Sequence, residues 1–395
     1  MTAGPGTSRM HGYCATGWEG VRDALARDDS GTEIGGVSLA VHHRGQVVVD
    51  LWGGRDPIDG QDWTRDSVGT LFSCTKAITS VILLRLVDQG LVDLESPVAA
   101  YWPEFAAAGK GAITIRQVMS HLGGLPFVGT TDLTTLYDQR ASAALLAAAT
   151  PVYPPGDHWM YHALSVGYLD AEVVRRVTGR TVGTILQQEI SGPRSLDLWI
   201  GLPADRDGDF RPSHPVVPAD LSLLDGEPTD ALEFAALRTA REVVSLMVAG
   251  EGASGAAEAM ITRAFRAAEI PAANGTANAR GLAGFYAALI DRTQPLLSPA
   301  LLRRATRSQT DLTAPVPPEQ VPHRYGIGLD LRNPNNPMLG DGCFGHSGAG
   351  GRLGFCWPDE DLAFGYVPTT MGLGEPDLRW APILDAVASS VRAAG

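Results

Sequence analysis

The chain has 395 residues, 44% hydrophobic and 19% charged, which suits one large core or two lobes and excludes a mainly disordered polypeptide. Its formal net charge of -13, with no basic cluster to interrupt the acidic balance, argues against a nucleic-acid partner. Four cysteines, Cys14, Cys74, Cys343 and Cys356, are too few and too scattered for a disulfide framework or a metal site, so free thiols are expected.

Met1 to Gly12 is rich in Gly, Ser and Thr and has no apolar core behind its arginine, so it does not read as a secretory signal. The apolar run Ile78 to Val87 is short of a membrane span and broken by Arg85. A soluble cytoplasmic protein with no membrane partner is the expectation. Trp18 to Arg27 has helical spacing, and Gly36 to His43 and Gln46 to Gly53 read as strands joined in hairpin fashion at Arg44-Gly45. Asp56 to Ser67 is a polar loop leading into a long apolar helix that ends at Asp88-Gln89-Gly90. A connector follows, then a short helix from Ile113 to Met119, an Ala-rich helix from Thr135 to Ala149, and a helix opened by Trp159 to Leu164 that runs through Val177. Pro203 to Pro228 is Pro/Asp-rich and the stretch to Ala268 is Ala-rich. An irregular insertion of this kind is either a wall of a binding site or a plain surface excursion. Ala279 to Ile290 is helical. Tyr325 to Leu331, Cys343 to His346, Arg352 to Trp357 and Ala363 to Val367 read as strands, and Leu378 to Ala394 as a closing helix.

Strands at both chain ends with helices between them predict an α/β (α+β) fold. One antiparallel sheet is built from both ends and flanked by the terminal helices, beside a mostly helical lobe with the active site at the junction. The expected division is residues 1–72 with 320–395 for the sheet lobe and 73–319 for the helical lobe, the variable insertion lying at about 203–270.

The chemistry concentrates at Leu71-Phe72-Ser73-Cys74-Thr75-Lys76. Only Lys76 and Lys110 are lysines; the other basic residues are arginines, which cannot lose a proton near neutral pH. A desolvated lysine can, and three residues along a helix it shares a face with the Ser73 hydroxyl. The positive end of the helix dipole would favour an alkoxide at Ser73 and disfavour an ammonium at Lys76. The plainer alternative is a serine helix cap followed by a solvated charge, against which stand the apolar neighbours Ala77, Ile78, Val81 and Ile82.

Other nucleophile systems fit less well. Gly345-His346-Ser347-Gly348-Ala349 nearly matches a nucleophile elbow, yet no histidine follows His346, and the serine precedes glycines and a strand rather than a helix. His158-Trp159-Met160-Tyr161-His162 lacks the glutamate of a zinc hydrolase, and no phosphate loop or dinucleotide fingerprint occurs, so neither metal nor cofactor is implied. His121, between a helix end and a Gly-Gly-x-Pro turn, reads as an anchor of that turn rather than a catalyst.

Taken together, Ser73-x-x-Lys76, Tyr161 after the Pro155-Gly156 turn, and His346-Ser347-Gly348 on a late strand resemble, in order, the three motifs of class C β-lactamases and DD-peptidases. With Ser120-His121-x-Gly-Gly-Leu125-Pro126 and Phe344 to Gly351, they look closer still to the family VIII carboxylesterases, a β-lactamase/transpeptidase-like fold. The resemblance implies Ser73 as nucleophile, Lys76 as its base or proton relay, and Tyr161 as the shuttle to the leaving group. It also implies an oxyanion hole from the N–H groups of Ser73 and Ala349, and substrate binding by His162, His346, Ser347, Gly348 and Gly350. Two departures bear on substrate: Ala163 stands where β-lactamases and peptidases usually have asparagine, and His346 where they usually have lysine. Both weaken binding of a substrate carboxylate and amide, which moves the expectation from β-lactams towards a small-molecule ester or acyl donor. The expected activity is a serine carboxylesterase working through an acyl-enzyme, or an acyltransferase if the acceptor is an amine or alcohol.

Overall fold

The computed structural model describes residues 10–26, 35–56, 60–215, 226–247, 258–310, 314–315, 323–371 and 379–395. The sequence readings that fall on residues 1–9, 57–59, 216–225, 248–257 and Leu378 lie outside the described residues. Seven strands form one antiparallel sheet: β1 (Met10–Cys14), β2 (Val37–His43), β3 (Gln46–Gly53), β4 (Asp330–Leu331), β5 (Phe344–Gly348), β6 (Arg352–Trp357) and β7 (Leu362–Pro368). Their spatial order is β1-β3-β2-β7-β6-β5-β4, so the two chain ends meet where β2 pairs β7, with Val41 opposite Phe364. The helices used below are α1 (Glu19–Ala26), α2 (Cys74–Asp88), α3 (Ser165–Thr178), α4 (Ala231–Met247), α5 (Ala279–Ile290) and α6 (Trp380–Ala394).

Alternation along the strands explains the layers. Val37, Leu39 and Val41 of β2 and Leu362, Phe364 and Tyr366 of β7 share a hydrophobic cluster with Val21 and Leu25 of α1 and Ile383 and Val387 of α6. On the other face the strands turn small residues, Ala40 and Ala363, towards α5, whose Leu282, Ala283 and Tyr286 pack there. That second cluster continues from the sheet through α2 and α3. Helix α2 lies at its centre, with twelve of its fifteen residues buried, which is why its sequence shows no polar stripe. Among the described residues no helix is long and apolar enough to cross a membrane.

Four local expectations change. Strand β1 carries no signal in the sequence, because His11, Gly12 and Tyr13 are exposed and give an edge strand no apolar alternation. Thr135 to Ala149 is two helices, Leu133–Tyr137 and Gln139–Ala148, divided at Asp138, whose extended backbone lets its carboxylate accept the N–H groups of Arg140 and Ala141. Only Asp330 and Leu331 of the stretch from Tyr325 form a strand. The Ile327 and Gly328 N–H groups instead reach Ala305 O at 2.8 Å and Met119 O at 3.0 Å, pulling the chain out of the sheet. Helix α3 begins at Ser165, not near Tyr161, for a reason that belongs to the site.

Candidate active site

Ser73 is the residue before the first turn of α2, the usual capping position, but its side chain makes no capping hydrogen bond. Its Oγ lies 3.0 Å from Lys76 Nζ, which also donates to Ala272 O at 3.0 Å. The cap reading of Ser73 is thereby set aside. Phe72, immediately before it, has φ 47°, a left-handed conformation that is costly for an aromatic residue and directs the next side chain out of the helix line. Lys76 is buried, and that burial pulls its pKa from 10.5 down to about 7, a weak opposing pull coming from Cys74. The lysine is therefore able to accept a proton near neutral pH.

A ring cluster closes one side. The Lys76 ammonium sits 4.9 Å from the centre of the Tyr161 ring, and that ring lies 4.9 Å from His121 and 6.2 Å from His346. Tyr161 is held in an extended segment because the flanking histidines use their nitrogens on backbone. The His162 N–H donates to His121 Nδ1 at 2.9 Å, His162 Nε2 accepts from Leu125 N–H at 3.1 Å, and its Nδ1–H donates to Met160 O at 2.6 Å. This network delays α3 to Ser165. His121 thus holds the segment at His162, His162 in turn holds the turn at Leu125, and His162 is not among the described residues lining the cavity beside Ser73. His162 is fully buried behind the cavity wall, and burial lowers its pKa to about 4.

Next to Ser73 opens a cavity of about 550 Å³. Ser73, Tyr161, His346, Ser347 and Ala349 line it, so one wall brings together residues drawn from three distant motifs. The N–H groups of Ser73 and Ala349 have no acceptor among the described residues. Gly348 and Gly350, expected to leave room for substrate, do not line the cavity. A Cβ on Gly348 would come 2.3 Å from Leu71 O, and one on Gly350, at φ 72°, would come 2.5 Å from Arg352 Nη1. What approaches these glycines is protein.

Arg352 was not singled out by the sequence. It is fully buried and donates to Thr70 O (3.1 Å), Ala349 O (3.2 Å), Gly350 O (3.0 Å) and Ser213 Oγ (2.5 Å), with its guanidinium 4.9 Å from the centre of the Phe72 ring. It thus fastens the approach to Ser73 to the β5–β6 turn that carries Ala349. Its only sequence signal is an arginine beginning a strand otherwise made of apolar residues and glycine. An apolar part of the lining comes from the insertion: Val243, Val244 and Met247 of α4, with Met260 and Phe265 after it. Glu242, buried on α4, accepts N–H groups of Val128 (2.8 Å), Gly129 (2.5 Å) and Thr130 (3.1 Å), holding this wall in place.

A family model described as Beta-lactamase matches residues 21–388. The chain is 35% identical over 353 residues to the esterase/beta-lactamase LipL of Mycobacterium tuberculosis (strain ATCC 25618 / H37Rv), covering 87% of this chain and 79% of that protein. It superposes on the crystal structure of a family VIII carboxylesterase with a TM-score of 0.82 and 32% identity, over 97% of this chain and all (100%) of that one. A shorter likeness, 32% over 123 residues, links it to the acyltransferase calJ of Penicillium decumbens, over 24% of this chain and 29% of that protein.

Proposed function

The chain belongs to the Beta-lactamase family, and on that footing we propose that it is a serine carboxylesterase in which Ser73 attacks, Lys76 takes the proton and Tyr161 returns it. The observation that carries this reading is the 3.0 Å contact between an uncapped Ser73 hydroxyl and a buried Lys76 whose pKa is about 7. Ser73 Oγ bonds to the ester carbonyl carbon while its proton passes to Lys76 Nζ. The carbonyl oxygen takes up the charge and receives the N–H groups of Ser73 and Ala349. The bond to the alkoxy oxygen then breaks, and that oxygen leaves with the proton handed on through Tyr161. Water attacks the acyl-enzyme along the reverse proton path, releasing a carboxylic acid and restoring Ser73.

Esters suit this cavity better than β-lactams. Ala163 and His346 line it where an amide and a cation would be wanted, and no lysine or arginine is among its described lining residues. The likeness to calJ supports a second reading, transfer of the acyl group to an alcohol or amine instead of water. The unpaired Cys14, Cys74, Cys343 and Cys356 fit a reducing compartment, and a cytoplasmic location is part of this reading.

Intact-protein mass spectrometry after mixing with activated acyl esters tests both readings, with Ser73→Ala as control. A Ser73-dependent adduct that water clears rapidly is the expected result. An adduct that persists until an alcohol or amine is added would make the protein a transferase, and no adduct from any reactive ester would refute the mechanism.

A further inference from the structure

The cavity is unlike at its two ends. Towards α4 it is walled by Val243, Val244, Met247, Met260 and Phe265, which offer no side-chain hydrogen bond. Towards Tyr161 it is walled by Tyr325, His346, His323, Asn335 and Asp330. The second end continues from the proposed proton donor: Trp159 lies 6.4 Å from the Tyr161 ring and stacks on His323 at 5.0 Å, and Tyr325 is 5.9 Å from His346. An alkoxy oxygen protonated through Tyr161 therefore departs into the polar end, while the acyl chain has the apolar end.

The hydrogen-bonding groups left over at the polar end define what fits there. His346 is 3% exposed, and its Nδ1 lies 2.6 Å from Ser347 O, which puts the ring proton on Nδ1. Its Nε2 is left as a buried lone pair with no partner among the described residues. Asn335 Nδ2 donates to His323 Nε2 at 3.3 Å, and neither Asn335 Oδ1 nor the His323 Nδ1–H has a partner among the described residues. Asn335 Oδ1 and the His323 Nδ1–H thus leave one acceptor and one donor on residues that line the cavity, while His346 Nε2 is sealed from it. The Asp330 carboxyl oxygens already accept from Asn333 (3.0 Å) and Asn336 (2.8 Å). With no lysine or arginine among the described lining residues, a carboxylate or phosphate would be unmatched there. A plain alkyl group would leave Asn335 Oδ1 and the His323 Nδ1–H without a partner.

We infer that the end of the cavity bounded by Tyr161, Tyr325, His346, His323 and Asn335 is the leaving-alcohol subsite, and that it takes a neutral alcohol bearing further hydroxyl groups, of the glycerol or sugar type. The inference rests on the esterase reading and names the substrate class for it. A hydroxyl proton of the departing alcohol meets Asn335 Oδ1, and a hydroxyl oxygen meets His323 Nδ1–H. In a transfer reaction the incoming alcohol occupies the same place, because acylation and its reversal share one path.

The test compares kcat/KM for glycerol monobutyrate and n-propyl butyrate, which share one acyl-enzyme and differ only in the leaving alcohol. Wild type should favour the glycerol ester by about tenfold to a hundredfold, up to about a decade for each of the two hydrogen bonds kept. Asn335→Leu and His323→Phe, the latter keeping a ring against Trp159, should each shrink that preference by about tenfold. A ratio near one in wild type, or an unchanged ratio in both variants, would overturn the inference. Acylation of Ser73 by p-nitrophenyl butyrate, followed in the same preparations, separates this from failure of the esterase reading: without it both fall, whereas with it only the subsite assignment is lost.

Discussion

Replacing Lys76 by methionine keeps a straight side chain of similar length and removes the group that titrates. On folding, the amine goes from 10.5 to about 7 through burial. Between those values the unfolded chain binds a proton that the native protein has released, so the contribution of this residue to stability rises with pH across the window. The shift of three and a half units, at about 1.4 kcal/mol each, amounts to about 5 kcal/mol of native-state penalty below pH 7. About 2 kcal/mol of it is relieved between pH 7 and pH 9. Methionine carries no such penalty at any pH, although it gives up the hydrogen bonds to Ser73 and Ala272. Urea unfolding of wild type and Lys76→Met at pH 7, 8 and 9 should show the stability difference moving by about 2 kcal/mol in favour of wild type as pH rises. The slope carries the argument, since the lost hydrogen bonds offset all three points alike. Parallel curves would mean that Lys76 keeps an ordinary ammonium in the native state, and the general-base role would go with it.

Two further substitutions separate proton delivery from architecture. Tyr161→Phe should lower kcat for alkyl esters by about a hundredfold to ten-thousandfold, the usual range for a lost acid–base group. It should slow acylation by p-nitrophenyl esters far less, because that leaving group departs without a proton; stopped-flow bursts with both substrates check this, and equal losses would place Tyr161 outside proton transfer. Gly348→Ala puts a Cβ 2.3 Å from Leu71 O, so β5 must move away from the start of α2. The expected outcome is about 1–3 kcal/mol of lost stability with kcat reduced more than KM is raised, since Ala349 moves with the strand. Unaltered kinetics would show that the two segments tolerate sliding.

The parts of the site that were legible in the sequence are those fixed by local geometry. Ser73 and Lys76 share one helix, so their spacing alone implies contact, and the scarcity of lysine marks the second of them. The sheet was legible because β2, β3, β6 and β7 are buried and their turns carry glycine, aspartate or arginine-glycine. Longer-range relations were not. Nothing in the order His162-Ala163 says which side chain faces the cavity. The answer depends on Leu125 and His121, which lie far back along the chain, and the histidine is spent on backbone. Gly348 and Gly350 signal close approach correctly but not by what, and here it is Leu71, Arg352 and Met371. Tyr161 and Ala349 were assigned by family resemblance. His323, Asn335 and Arg352 are ordinary polar residues until the fold gathers them.

Arg352 has a consequence for how this protein comes into being. Ser73 and Lys76, the proposed nucleophile and base, are made early during synthesis and, lying three residues apart at the start of one helix, meet once that helix forms. The carbonyls of Ala349 and Gly350, and the guanidinium that ties them to Thr70, are made only as the last strands appear. A growing chain, or one cut short before β6, therefore carries a serine and a lysine without the fastening that ties the turn carrying Ala349 to Thr70. The Ala349 N–H that the proposed mechanism uses is thus fixed only once the last strands of the sheet are in place.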